Sequence, residues 1–223
     1  MDDSAKLSID IHRPAGRSLI AGAVLSFITM ALHPSGGSLE HIVRIYNVLV
    51  ISHALAILSL PLLALGFWGL STRLMTRNGL APLAFFTVLF GLVAIMLAAL
   101  FNGLILPFYA TKQLSQPGVD LDTVKLIIQY GSTVNRSLDY VFIAAFSIAI
   151  GIWSGLILQT RLLPHWLGYG GLLLIGIVGL GVLTNFDLIG VAGFRLLVFG
   201  LASWIVLIGW SLSRPLPAPT EAV

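Results

Sequence analysis

STVNRSLDYVFIAAFSIAIGIWSGLILQT, Ser132 to Thr160, is the stretch whose reading decides the fold. From Tyr140 to Gln159 it is apolar, long enough for a hydrocarbon core that takes about 20 such residues. It is therefore a membrane span. Its polar head carries Asn135, Arg136 and Asp139, inside or just above the outer end of that span. An ionisable side chain at this depth is costly and faces a bundle interior or a wet cavity.

The rest of the chain has the same character. Of its 223 residues, 57% are hydrophobic and 9% charged, against roughly 25% charged in soluble domains. A soluble fold is excluded. The formal net charge of +3 rests on 12 scattered Lys and Arg, so these residues report topology and not nucleic-acid binding. There is no cysteine, which excludes disulfides, thiolate metal sites and a cysteine nucleophile.

Working outward from Ser132–Thr160, five more apolar runs appear, so the fold class is all-α, a bundle of six transmembrane helices. The first run is Ser18 to Leu32. A second helix, Leu39 to Leu70, has Ser38 as its N-cap and Pro61 as a kink inside it. The third is Leu80 to Tyr109. After a connection from Thr111 to Leu121, Asp120 caps a new helix, and Val124 to Tyr130 forms an amphipathic segment that lies at the surface or covers the bundle. Gly131 marks a bend before the fourth span. Pro164 suits the first turn of a fifth helix, which ends near Leu183, and the sixth runs from Leu188 to Ser211. The domain spans 18–212, after a cytoplasmic N-terminal segment, 1–17, and before a disordered cytoplasmic tail, 213–223.

An even number of spans places both termini on one side. Lys6, Arg13, Arg17, Arg73, Arg77, Arg161 and Arg214 then share that side, against Arg44, Lys112, Lys125, Arg136 and Arg195 on the other. The short basic loops at Arg73, Arg77 and Arg161 set it as the cytoplasmic side of a bacterial-type plasma membrane. There is also an internal echo. Leu65-Gly-Phe-Trp68 before Thr72-Arg73-Leu74 resembles Ile150-Gly-Ile-Trp153 before Thr160-Arg161-Leu162, as a parallel repeat would.

With Trp68 and Trp153 taken as aromatic anchors of the inner interface, heights follow from about 1.5 Å per residue. His53 stands roughly 22 Å above Trp68, and Asp139 roughly 21 Å above Trp153. His53, Asn102, Asn135, Arg136 and Asp139 thus reach one polar layer near the outer edge, and these are the candidate pocket residues. His53 has an apolar stretch above it, Ile42 to Ile51, which some structure must enclose. His33, Asn185, Asp187 and Arg195 reach the same height but fit simple contact with interfacial water.

Competing readings remain open. Arg136 and Asp139, three apart, suit a local ion pair that only holds the bundle. His33, His53 and Asp139 are zinc-type ligands, yet no His-x-x-x-His or Glu-x-x-His spacing supports a metal site. No two spans carry the facing histidines that haem needs. No cofactor and no metal are therefore expected. The intramembrane serines suit bonds to backbone carbonyls, and Gly176, Gly179 and Gly181 suit helix packing.

Several of these segments together resemble a known group. They are His33-Pro34 ending the first helix, Ser52-His53-Ala54-Leu55 in the second and Asn135-x-x-x-Asp139 in the fourth. Leu163-Pro-His-Trp-Leu-Gly-Tyr-Gly-Gly171, entering the fifth, is the most specific. The pattern is similar to a bacterial six-helix integral membrane family, the domain of unknown function 4386 group. The resemblance implies a fold and a location and brings no catalytic residues with it.

The functional expectation is a multi-pass protein, surrounded by the lipid bilayer, whose outward-facing pocket binds or passes a small solute or lipid head group. One alternative is an intramembrane enzyme using His53 and Asp139. Another is an assembly partner without a site, or an oligomer, packing through the glycine-rich fifth helix.

Overall fold

Helix α1 (His12–Leu32) begins ahead of the apolar run, and α2 (Leu39–Arg44) follows as a short turn of helix. The others are α3 (Tyr46–Met75), α4 (Ala81–Leu100), α5 (Leu106–Leu114), α6 (Leu121–Thr160), α7 (His165–Leu183) and α8 (Val191–Ser213). A π-helical turn, Phe101–Ile105, joins α4 to α5. The computed structural model describes residues 11–34, 37–75 and 79–214. Residues 1–10, Ser35, Gly36, 76–78 and 215–223 lie outside the described residues, and with them most of the expected N-terminal segment, Arg77 and the tail. Among the described residues there are six helical spans long and apolar enough to cross a membrane, α4 and α5 counting as one. The chain is an all-α, multi-pass membrane protein.

The spans form a ring. Going round it, α1 lies beside α3, α3 beside α4, α4 beside α6, α6 beside α7, α7 beside α8 and α8 beside α1. Lipid gives no hydrophobic drive for helices to associate, so close packing over small residues supplies the attraction. On α1 and α3 those residues are in antiparallel register. A Cβ on Gly69 would come within 2.2 Å of the Ala15 Cβ, and one on Gly66 within 2.3 Å of Leu19. Gly16 lies equally tightly against Gly209 and Ser213 of α8. The start of α1 and the end of α8 therefore share one end of the bundle, here the proximal end. The opposite end is the distal one.

Several boundaries differ from expectation. The second helix is two, interrupted at Ile45, and it continues through Arg73 to Met75. Gly131 does not interrupt the helix: α6 is one helix of 40 residues. The glycine is there for approach, since a Cβ would lie 2.6 Å from Leu106 Cδ2. At about 1.5 Å per residue, α6 is about 60 Å long, twice the thickness of the hydrocarbon core. Its first turns project beyond the spans and bury Val124 with Leu39 of α2 and Ala110 of α5. This distal cap covers the upper part of the segment above His53, packing Ile42 and Val43, while Val48 and Ile51 stay exposed. Asp120 starts the helix by accepting from the Asp122 and Thr123 amides, and Ser38 caps α2 through the His41 amide.

Trp153 is not an interfacial anchor. It is fully buried, stacks on Phe67 at 5.0 Å and donates from Nε1 to Ser71 Oγ at 3.0 Å. A wholly enclosed indole needs such a partner for its N–H. Trp68, its counterpart in the echo, is exposed beside Phe85, so the echo does not extend to environment. Trp68, Trp166 and Trp210 are the exposed tryptophans of the proximal end, the last under the Arg214 guanidinium. In α7 the packed glycines are Gly168 and Gly171 against α6, and Gly181 against Leu188. Gly176 and Gly179 meet nothing.

Candidate functional site

The ring encloses a cavity of about 210 Å³ toward the distal end. Five of the six spans line it, α7 being left outside. Its floor is apolar, with Leu63, Leu92, Phe146 and Ile205 among the side chains that close it. Its upper wall carries His53, Asn102, Asn135 and Asp139, four of the five residues singled out from sequence, together with His33. Arg136 is not in the wall.

Asn135 and Asp139 are one turn apart on α6, so both face inward. Asn135 Nδ2 donates to Asp139 Oδ2 at 2.9 Å, and Asp139 is only 7% exposed. The expected pairing of Arg136 with Asp139 gives way to a different one. Arg136 turns outward and meets Asp187, 3.8 Å away, where both side chains are more than half exposed. Asp187 also accepts from the Gly190 amide at 2.9 Å and so holds the entry to α8. The preceding Asn185 takes a left-handed backbone (φ 55) in the same exposed turn.

His53 is 5% exposed, and its Nδ1 lies 2.8 Å from the Leu49 carbonyl. A carbonyl only accepts, so Nδ1 carries the proton and Nε2 keeps its lone pair. The ring lies directly on the π-helical turn, where a Cβ on Gly103 would come 2.0 Å from His53 Cγ. Pro107 explains that turn. It has no N–H and in a regular helix would strike the Gly103 carbonyl. The helix widens instead, and the Leu106 amide reaches back to Phe101. Asn102 enters the cavity wall from the same turn. Such turns recur at functional sites.

His33 ends α1, and its position is the main finding sequence reading missed. Its ring centroid is 5.0 Å from that of His53, tilted by 56°. Nδ1 donates to the Pro34 carbonyl at 2.9 Å, so this imidazole also keeps its Nε2 lone pair. Burial lowers its pKa from the usual 6.5, and the charge of Arg195 adds to this, while the bond to Pro34 opposes both. Arg195 reaches across from α8 to donate to the His33 carbonyl, a cation on the negative end of α1. The antiparallel α1–α3 register could have revealed the pair: Gly22 meets Leu63, Ser26 meets Ser59 four residues on, and about two turns further His33 meets His53.

One more group stands out. Thr29 is 5% exposed, lines the cavity, and its hydroxyl has no hydrogen-bond partner among the described residues. A helical threonine normally bonds a carbonyl one turn back, and a buried hydroxyl left alone costs about 1–3 kcal/mol. Among the described residues no three His, Asp or Glu side chains converge as a metal-ligand set. The chain matches no protein-family model, no curated protein and no solved structure.

Proposed function

We propose that this protein sits in a bacterial cytoplasmic membrane with both ends inside, and that its cavity binds, or passes, a small solute or amphiphilic molecule entering from outside. The observation that carries the reading is the Thr29 hydroxyl, buried without a partner in the wall of a cavity that also gathers polar groups from separate helices. A native structure leaves few buried polar atoms unsatisfied, and a bound molecule would satisfy this one. The size is adequate, since an apolar cavity of about 150 Å³ already holds benzene. The cytoplasmic assignment of the proximal end is supported by Arg13, Arg17, Arg73, Arg161 and Arg214 gathered there.

Kinship with the six-helix family belongs to the same proposal. Its support is that His33, His53, Asn135 and Asp139, three of the four resembling segments, meet at one cavity. The fourth, Leu163 to Gly171, builds the tight α6–α7 turn, where Trp204 Nε1 donates to the Leu167 carbonyl at 2.9 Å.

Native mass spectrometry of protein purified in mild detergent tests the reading. Wild type should retain a small molecule that Ala98→Phe, which fills the cavity, loses while remaining folded. Wild type with nothing bound, or a folded Ala98→Phe variant that retains the same molecule, would defeat it.

A further inference from the structure

The chemistry of the wall goes further than its polarity, because its ionisable side chains, Asp139, His33 and His53, face the cavity as acceptors, beside the neutral amides and hydroxyls of Asn102, Asn135 and Thr29. Asp139 gives one carboxyl oxygen, Oδ2, to Asn135, and the other remains for a ligand. His33 and His53 have both committed Nδ1 to backbone carbonyls, which leaves two Nε2 lone pairs. No Lys or Arg lines the cavity among the described residues. Of the guanidinium groups around it, Arg136 pairs with Asp187, and Arg195 donates from one nitrogen to the His33 carbonyl, its buried Nε having no partner among the described residues. An anionic head group would therefore meet an acidic side chain and no cation in the wall itself. A head group rich in N–H donors would meet several acceptors. Below it, the floor is hydrocarbon and suits an aryl or short alkyl body.

Building on the cavity reading above, we infer that the ligand class is a primary amine carried on a small apolar body. The ammonium group occupies the space between Asp139 and the two imidazoles, and the body extends toward Phe146 and Ile205. Burial sharpens the choice, since a hydrogen bond to a charged group contributes more than a neutral one. A site built of acceptors also rejects isosteres that cannot donate, because its own groups are then left unpaired.

The test uses full-length protein in zwitterionic nanodiscs, with empty nanodiscs as the partition control. The probes are phenethylamine, 2-phenylethanol, 3-phenylpropionate and the N,N,N-trimethyl derivative of phenethylamine. Phenethylamine should bind at least tenfold more tightly than the alcohol and the acid. Trimethylation should cost at least tenfold, because it keeps the charge and removes every donor. Asp139→Asn should abolish the preference for amine over alcohol, and if that variant does not fold, the methylation comparison in wild type decides alone. Alcohol, acid or trimethyl derivative binding as tightly as the amine would overturn the amine assignment and leave the cavity reading standing. If none of the four binds, both fall.

Discussion

His33 and His53 come from different helices, yet their rings sit 5.0 Å apart and each is fixed by a bond from Nδ1 to a backbone carbonyl. Neither ring can turn without breaking that bond, so the two Nε2 atoms are presented in a set geometry. The consequence for pH concerns His33, which lies beyond the end of α1. Its folded pKa is depressed, so the unfolded chain binds a proton more readily. Its contribution to stability is complete above the ordinary value of 6.5 and is lost as pH falls through the folded value. Melting temperatures of wild type and His33→Gln, followed from pH 8 to pH 5, should converge toward the acid end. Parallel curves would show that His33 is not the group responsible.

Gly103 should be intolerant of even a methyl group. Alanine there meets the His53 ring at 2.0 Å, and overpacking of this kind costs about 1–3 kcal/mol. Gly103→Ala is expected to lower the melting temperature, and His53→Ala in the same chain to restore much of it. Additive losses in the double variant would mean that ring and turn are not in contact.

The two arginines near the cavity should behave differently. Arg136→Gln removes an exposed ion pair with Asp187, and such pairs are worth about 0–1 kcal/mol. Arg195→Gln removes a partly buried charged donor from the His33 carbonyl, a bond worth about 1.5–3 kcal/mol. Chemical or thermal denaturation should rank Arg195→Gln as clearly the more damaging. The reverse order would contradict the pairing described.

Glycines of α7 discriminate packing from a partner surface. Gly171→Ala should destabilise, because its Cβ would lie 2.1 Å from Ser154 Oγ. Gly176→Ala and Gly179→Ala enter open space and should be neutral, or gain up to about 1 kcal/mol of helix propensity. If either instead changes the oligomeric state seen by native mass spectrometry, a protein partner and not lipid covers that face.

Topology has a direct check because the chain contains no cysteine. A single cysteine at Gln116 should react with a membrane-impermeant maleimide added to whole cells, and one at Gly79 only after lysis. Inverted labelling would place the cavity mouth on the cytoplasmic side.

The spans were legible in the sequence because hydrocarbon demands long apolar helices, and that signal is strong in every one of them. Boundaries were less so. Gly131 reads locally as a break, but Leu106 comes from a different helix and makes the glycine a packing site. The polar layer could be placed by counting rise per residue, whereas direction round the helix could not. That is why Arg136 was grouped with Asp139 but faces Asp187 instead. Trp153 misled for the same reason: an indole is found at interfaces and in cores, and only the positions of Phe67 and Ser71 decide between them.

Because α6 runs unbroken from the cap to the proximal turn, it fixes phase as well as distance. Each residue of an α-helix advances the face by about 100°. One residue inserted at Ser132 would therefore swing Val124 and Gly131 about a quarter-turn or more away from their contacts while Asp139 stayed in place. Four residues would restore the facing and lift the cap by about 6 Å. The cap and the cavity are thus keyed to each other like teeth on one shaft, and length changes in this helix should be tolerated only in whole turns.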